Sequence, residues 1–378
     1  MHCQARRSLI SGALMVALIL STGCGNAQSS AAPGALAVIV GAHSNMVAPS
    51  ILDTAETEID TASALGSPAT VIVDDGNPAA SAPVSLKAAN DNPLYQQDKV
   101  DQLKKSIDKA RADKPEVNLL AALDLAARSV GDATGPKTIV VIDSGLQTAG
   151  ALRFQDQDGA LLNANPDEVV AALRRTQQLP NLAGMRVVFT GLGDTAPPQQ
   201  PLPAPARTVL VTLWTKIVEA AGGQAEIKQA PLPSKPTLNG LPPVTAVPVA
   251  AQAIGPLPSI TVLRDGTVGF VPDQAVFRDP DQARAVLADY AKAIIGGKTA
   301  LLTGTTASDG TPDYRLRLSE KRAGAVRDLL VSLGAPADHI RTRGLGSDFP
   351  GYVPDRDSQG NLDPVPAAQN RQVIIELT

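Results

Sequence analysis

The chain has 378 residues, of which 44% are hydrophobic and 3% aromatic, and its formal net charge at pH 7 is −4. This length and apolar content suffice for two ordinary hydrophobic cores. The mild acidity, with no long run of lysine or arginine, excludes the electrostatic footprint of a nucleic-acid-binding protein. Because aromatic residues are scarce, the cores must be built from Ala, Val, Leu and Ile, which favours an α/β architecture.

The first 24 residues have the pattern of an export signal. Two arginines at positions 6 and 7 precede an apolar run over residues 9–20, which has the length of a signal-peptide core and is short for a membrane span. The junction Leu20-Ser21-Thr22-Gly23-Cys24 that follows resembles a lipobox, with the leucine one position further from the cysteine than in that motif. The resemblance implies that Cys24 is lipidated and becomes the first mature residue. Ordinary signal-peptidase cleavage near Ala27 is the alternative.

Cysteine usage agrees with lipidation. The chain has two cysteines, and Cys3 lies in the segment that would be removed, so the mature protein contains no disulfide. Residues 25–35 are predicted to be a flexible tether. We therefore expect an extracytoplasmic protein, attached to a membrane through lipid on Cys24 and associated with the cell wall or periplasm.

Residues 36–228 show alternating strand and helix patterns. Continuous apolar runs of the kind found in buried parallel strands occur at residues 36–40, 69–73, 138–142 and 186–190. Helical periodicity and capping signals predict helices at residues 100–112, 118–130, 166–176 and 208–221. The pattern predicts a doubly wound α/β domain.

A proline-dense stretch at residues 229–258 separates this region from a second one. Proline fixes φ and lacks a backbone donor, so the stretch is predicted to be an extended linker. Residues 259–378 then carry a shorter β/α pattern. Strands are predicted at 260–263, 268–271, 299–303, 340–344 and 372–377, and helices at 280–295 and 319–333.

A series of motifs in residues 259–378 resembles the OmpA-like family. The run Thr303-Gly304-Thr305-Thr306-Ala307 stands where the family has TGHTD, and Leu318-Ser319, Arg322-Ala323 and Val326 match its LS..RA..V helix. Gly344-Leu345-Gly346 and Asn370-Arg371-Gln372-Val373 match later elements. The resemblance implies a β/α sandwich that binds the diaminopimelate of a peptidoglycan stem peptide.

The same resemblance implies which residues form the site. In the family an aspartate meets the ligand's ammonium group and the helix arginine meets a carboxylate, for which guanidinium offers a bidentate fork. Arg322 fills the second role, whereas the aspartate position is Ala307. Asp309, two residues further on, can supply the negative charge only if the loop folds differently. The predicted peptidoglycan-binding residues are Arg322, Asp309, Thr305, Arg315, Asn370 and Arg371.

A simpler interpretation remains open for these residues. Arg322 could lie on a solvated helix face with Ser319 as the helix cap, and Asp309-Gly310 could be a plain turn, in a domain that keeps the fold without the ligand. Three aspartates of the later loop are predicted to be solvated charges: Asp348, Asp355 and Asp357.

Residues 36–228 resemble a von Willebrand factor A domain more loosely, in the helix at 118–130, the segment 139–150 and the segment 186–194. That family binds a divalent cation through D.S.S after its first strand. Here the first strand is followed by Gly41-Ala42-His43-Ser44-Asn45, which lacks the aspartate. We therefore predict no metal and no cofactor.

The sequence thus predicts an envelope lipoprotein that is not an enzyme, anchors noncovalently to peptidoglycan and presents an α/β domain to an unknown protein partner. Two alternatives remain. One is an exported hydrolase with a pocket near His43, Asp75, Ser144 and Asp194. The other is a cation-dependent adhesion module that uses Asp143, Thr148 and Asp194.

Overall fold

The computed structural model describes residues 32–49, 53–87, 93–228, 236–249, 257–264 and 267–378. The predicted signal segment with Cys24, most of the tether and parts of the linker lie outside these ranges. In the described part of the chain, no helix has the length and apolar character needed to cross a membrane.

Residues 35–228 form a seven-stranded sheet with helices on both faces. In chain order the elements are β1 Ala35–Val40, α1 Asp53–Ala64, β2 Pro68–Val73, β3 Ala79–Ala80, β4 Val84–Ser85, α2 Pro93–Asp108, α3 Leu119–Val130, β5 Lys137–Ile142, a 3-10 segment Asp156–Asn163, α4 Pro166–Arg175, β6 Met185–Thr190, α5 Ala204–Ala220 and β7 Gln224–Lys228. The strand order is β3-β2-β1-β5-β6-β7, and β4 pairs with β2. The strands β2, β1, β5, β6 and β7 are parallel.

Both faces of this sheet are buried, which explains the continuous apolar runs. Alternate residues of β1 enter different cores: Leu36 and Val38 pack with α1 and α2, whereas Ala37 and Ile39 pack with α3 and α5. The four predicted strands are confirmed, and so is Asn165 as the cap of α4, whereas Asn118 is the N-cap of α3 rather than its first residue. Helix α1 was not predicted.

The last part of the chain is a two-layer β/α sandwich. Its elements are β8 Ile260–Arg264, α6 Pro280–Ile295, β9 Ala300–Gly304, α7 Pro312–Ser332, β10 Ile340–Gly344, α8 Pro364–Asn370 and β11 Gln372–Leu377. The strand order is β10-β9-β11-β8, with β9 and β10 parallel and β11 antiparallel to both of its neighbours. One face of the sheet packs on α6 and α7, since Val373, Ile375 and Leu377 of β11 point into that core.

Two predicted elements in this part are wrong. Residues 268–271 form no strand, because the chain turns back at once and Phe270 stacks on Phe277 with ring centroids 5.0 Å apart. Helix α7 starts at Pro312 rather than at Ser319, and its N-cap is Thr311, whose hydroxyl accepts from the backbone amide of Tyr314. Ser319 is therefore a buried interior residue of the helix and not its cap.

Helix α8 joins the sandwich to the first sheet. Ala368 is fully buried in the core that α3 and α5 form on their sheet, and Val365 packs against that core. Gln369 donates a hydrogen bond from Nε2 to the carbonyl oxygen of Gln157, 2.9 Å away, in the 3-10 segment. The two parts thus share an apolar contact directly before Asn370 and Arg371.

Residues 236–249 of the predicted linker have little regular secondary structure, and they pack along the carboxyl ends of β1 and β6. The backbone amide of Val244 donates to Ser44 Oγ at 3.1 Å. The side chain of Gln199 pairs with both backbone groups of Val247, at 3.0 Å and 2.7 Å. Val247 is 2% exposed. This proline-rich segment therefore covers the sheet edge where open α/β sheets commonly bind ligands.

Candidate functional site

Arg322 lies at the wall of a cleft on the sandwich. Its side chain is 6% exposed, and its guanidinium carbon is 5.2 Å from the centre of the Phe270 ring. Nε donates to the carbonyl oxygen of Gln274 at 3.0 Å. The aromatic face and the carbonyl hold the charge in a fixed orientation. The interpretation of Arg322 as a solvated helix-face residue is therefore wrong.

Close packing of α7 on the strands places Arg322 there. A Cβ on Gly304 would lie 2.0 Å from the carbonyl oxygen of Ser319, and one on Gly344 would lie 2.5 Å from the amide of Glu320, so glycine is required at both strand ends. Ser319 Oγ accepts from the amide of Gly346 at 2.9 Å. One helical turn of α7 is thereby fixed against β9 and β10, and Arg322 follows directly.

The cleft beside Arg322 is open to solvent and has charges of both signs. Its cationic side chains are Arg278, Arg315, Arg322 and Arg371, and its anionic side chains are Glu168, Asp273 and Asp309. Phe270, Tyr314 and Leu318 add apolar surface. Such a lining suits a small zwitterionic ligand. Four of the six predicted site residues line it, namely Arg322, Asp309, Arg315 and Arg371.

The other two predicted site residues lie behind the wall of the cleft. Thr305 is fully buried, and its hydroxyl donates to the carbonyl oxygen of Asn370 at 2.6 Å. Asn370 is 1% exposed and exchanges hydrogen bonds with the backbone of Val353, at 2.7 Å and 2.9 Å. Thr305 holds the end of α8 against the end of β9, and Asn370 holds the loop between β10 and α8.

Asp355 organises the same loop, and the prediction that it is a solvated charge is wrong. It is fully buried and accepts from Ser308 N, Ser308 Oγ, Tyr352 OH and Asn370 Nδ2, at 2.8, 2.5, 2.6 and 3.1 Å. Burial acts to raise its pKa, but the hydrogen bonds from Ser308, Tyr352 and Asn370 outweigh burial and lower the pKa below its usual value. Nothing in the local pattern indicates this role, since Ser308 and Asp355 are 47 positions apart.

The loop after β9 presents Asp309 at the mouth of the cleft. Its carboxylate is 62% exposed and lies 3.2 Å from Arg356 Nη2. Arg315 shapes the loop, because its Nη1 donates to the carbonyl oxygens of Ser308 at 3.0 Å and Gly310 at 2.7 Å. Gly310 has a φ of +76°, which favours glycine. Ala307, at the family's aspartate position, lines the cleft but brings no charge.

A second wall of the cleft comes from helix α4, which packs on the first sheet. The sequence patterns do not predict this contribution. Arg371 forms a bidentate pair with Glu168 of α4, with Nη1 to Oε2 at 2.7 Å and Nη2 to Oε1 at 2.6 Å. Asn165, the N-cap of α4, also lines the cleft. No local signal relates these residues, because Glu168 and Arg371 are 203 positions apart.

The carboxyl end of the first sheet holds a buried polar cluster. His43 Nε2 lies 3.1 Å from Asp143 Oδ2, and both residues are buried. Burial, and secondly the Asp143 carboxylate, raises the pKa of Asp74 well above its usual value. Within the described ranges, no group of three or more His, Cys, Asp or Glu side chains is arranged to hold a metal ion.

Most of the residues named for the two alternative functions are buried. Of the residues proposed for a hydrolase pocket, His43, Asp75 and Ser144 are all at most 4% exposed. Asp194 pairs with Arg207 at 2.8 Å. In the adhesion alternative, Asp143 and Thr148 are fully buried as well.

Comparisons with known proteins agree on the sandwich. The OmpA family model matches residues 270–359. Outer membrane protein A of Bordetella avium is 31% identical over 142 residues, which cover 37% of this chain and 69% of that protein. The peptidoglycan-associated lipoprotein of Brucella melitensis biotype 1 is 43% identical over 49 residues, which cover 13% of this chain and 29% of that protein.

The crystal structure of the peptidoglycan-associated lipoprotein from Burkholderia pseudomallei has 27% sequence identity and a TM-score of 0.25, and the match covers 31% of this chain and 89% of that one. The chain thus spans about two thirds of the Bordetella protein and under a third of the Brucella one. Strands β1 to β7 lie outside the matched family region. By its match over residues 270–359 and its identity to the Bordetella protein, the chain belongs to the OmpA family.

Proposed function

We propose that this protein is a noncovalent anchor to peptidoglycan in the cell envelope, with the cleft beside Arg322 as its binding site. The observation that carries the proposal is a guanidinium held on an aromatic ring and a backbone carbonyl, at a cleft that also presents carboxylates. The relative in Brucella is by name a peptidoglycan-associated lipoprotein, which supports the same ligand class.

The chemistry of the cleft suits the diaminopimelate of a stem peptide. A carboxylate of that residue can take the bidentate fork of Arg322, and its ammonium group needs a carboxylate a few ångströms away. Asp309 stands at the mouth and is one of three carboxylates of the cleft that can take that role in place of the family aspartate. Thr305 and Asn370 support the loop from behind, and the proposal gives them no ligand contact.

The remaining parts complete an envelope lipoprotein. Its segments are a signal peptide with a lipobox-like end at residues 1–24, a tether at 25–35, an α/β domain at 36–228, a linker at 229–258 and the peptidoglycan-binding domain at 259–378. Lipid on Cys24 and peptidoglycan at the cleft would hold the α/β domain, which binds another protein, between two attachments. Tethering raises the effective concentration at each site, so each affinity can be modest. We propose no enzymatic activity.

Cosedimentation of the full chain with insoluble peptidoglycan tests the cleft. Arg322→Ala removes the charge-assisted hydrogen bonds to the ligand, so binding should weaken about 10- to 100-fold. Arg341→Ala is the matched control, since Arg341 is an exposed arginine on β10 that does not line the cleft, and it should bind as wild type does. The proposal fails if the wild-type chain stays in the supernatant, or if the Arg322 variant sediments as well as the control.

The lipid anchor has its own test. Mass spectrometry of the mature N-terminus should find a diacylglycerol-modified Cys24. An unmodified mature N-terminus near Ala27 would remove the membrane attachment and leave the peptidoglycan site untouched.

A further inference from the structure

We propose that Glu168 of the α/β part is a ligand-binding residue of the same cleft, with its carboxylate facing the ligand's ammonium group and its bidentate pair holding Arg371 at the cleft wall. The inference rests on the proposed function and deepens it. It makes the site a composite of the two parts of the chain, and it assigns the negative charge that Ala307 does not supply.

The position of Glu168 follows from local structure. Helix α4 begins after Asn165, whose side chain accepts from the amide of Asp167, and Pro166 at the first position fixes the helical φ. Glu168 therefore stands in the first turn, where its amide bonds to the carbonyl oxygen of Asn165 at 3.1 Å. That turn lies at the cleft, since both Asn165 and Glu168 line it together with Arg322.

Glu168 is the least exposed of the three carboxylates that line the cleft. Its side chain is 25% exposed, whereas that of Asp309 is 62% exposed and pairs with Arg356 across the loop. Asp273 is exposed too. Water screens exposed charges strongly, so the less exposed carboxylate of Glu168 interacts more strongly with a cation than an exposed carboxylate does.

The pairing with Arg371 leaves Glu168 able to act on a ligand. Each carboxylate oxygen accepts one hydrogen bond from Arg371 and has a further lone pair. A zwitterion can lie along such a pair, with its ammonium group against the carboxylate and a carboxylate against a guanidinium. Arg322 on the other wall offers a second fork. The pair also holds the Arg371 guanidinium, which is 13% exposed, so that little rotamer entropy remains to be lost on binding.

The apolar contact of α8 keeps the two walls together. Ala368 is fully buried in the core of the first sheet, and only Gln369 and Asn370 separate it from Arg371. A change in that contact would therefore move Glu168 relative to Arg322. This coupling makes the α/β part a contributor to the site.

The test compares two soluble probes: a stem peptide that ends in diaminopimelate, and the same peptide with the side-chain amine of that residue acetylated. Calorimetric titration of the full chain should show wild type preferring the free amine by about tenfold. Glu168→Gln keeps the size and one acceptor but removes the charge, so the preference should fall to about twofold or less. Asp167→Asn is the matched control, because Asp167 is the neighbouring exposed acid, pairs with Lys216 and does not line the cleft. It should keep the full preference.

Several outcomes would overturn the inference. Equal weakening of both peptides by Glu168→Gln means that Glu168 only docks the two parts. Tighter binding by that variant means that Glu168 competes with the ligand for Arg371. If Glu168→Gln still prefers the free amine over the acetylated peptide as strongly as wild type does, another carboxylate binds the ammonium group. If wild type binds neither peptide, or Arg322→Ala binds both as wild type does, the proposed function itself fails and the inference falls with it.

Discussion

Asp355 is fully buried, although its loop contains several prolines, glycines and aspartates of the kind found at protein surfaces. Four hydrogen bonds replace its contacts with water, and they join the loop after β9 and the end of α8 to the loop between β10 and α8. Arg322 is similar, because an aromatic ring and a carbonyl take the place of solvent. Both residues are charged groups whose behaviour follows from their neighbours.

Asp355→Asn should destabilise the protein at neutral pH by about 1–3 kcal/mol, because an amide cannot accept from all of these donors and leaves some unsatisfied. The folded-state pKa of Asp355 lies below its unfolded value, so its contribution is present at neutral pH and is lost as pH falls through the folded pKa. Urea denaturation should therefore show wild type and variant converging below about pH 4.

The control for this prediction is Asp348→Asn in the same loop. Asp348 is exposed, so its replacement should change the free energy of unfolding by less than about 0.5 kcal/mol. A difference between wild type and Asp355→Asn that stayed constant into acid would show that ionisation of Asp355 is not the source of the stability.

At the scale of elements, the closeness of α7 to the strands decides where Arg322 lies. Both strand ends that α7 crosses are glycines, and neither Gly304 nor Gly344 has a positive φ, so their role is steric. A helix that sat further out would move Arg322 away from Phe270. The cleft therefore depends on glycine at these two positions as much as on the charged residues that line it.

Gly304→Ala should destabilise the fold by about 1–3 kcal/mol, because the new methyl group meets the Ser319 carbonyl and α7 must shift outwards. Gly324→Ala is the matched control in α7 itself: its Cβ would meet nothing within 4 Å, so alanine should stabilise the helix by up to about 1 kcal/mol. Chemical denaturation measures both variants. Equal stability of Gly304→Ala and wild type would mean that the helix is not held by this contact.

At the scale of the whole molecule, residues 32–378 behave as one compact unit. Two features join the first sheet to the sandwich: α8 puts Ala368 into the first core, and Glu168 pairs with Arg371. The proline-rich segment 236–249 also returns along the first sheet rather than leaving it. Part of the segment that the composition predicts to be a linker therefore packs on the first sheet.

Ala368→Asp should make the first sheet and the sandwich unfold at different temperatures. A carboxylate at this fully buried position would lie in an apolar core, which costs on the order of 3–5 kcal/mol. Wild type should unfold in one calorimetric transition and the variant in two. Gln369→Ala, which removes one hydrogen bond to Gln157 beside it, is the control and should keep a single transition. One transition in both variants would contradict coupling through α8.

Local periodicity in the sequence was enough to predict much of the secondary structure. Strands β10 and β11 and helix α6 have the predicted bounds, because alternation, helical spacing, caps and prolines act between neighbouring residues. The early start of α7 was also readable, since Thr311-Pro312-Asp313 combines a cap, a proline at the first helical position and an acid in the first turn. The motifs alone identified Arg322 and its family.

Contacts across long separations were decided by the tertiary structure. Sequence patterns carry no information on which side chains meet when 203 positions divide Glu168 from Arg371, or 47 divide Ser308 from Asp355. Three features depend on how the helices and strands pack together: the burial of Asp355, the second wall of the cleft and the path of residues 236–249. Neighbouring residues specify most of the helices and strands and the family motifs, whereas packing decides which charges share a cleft and which are buried.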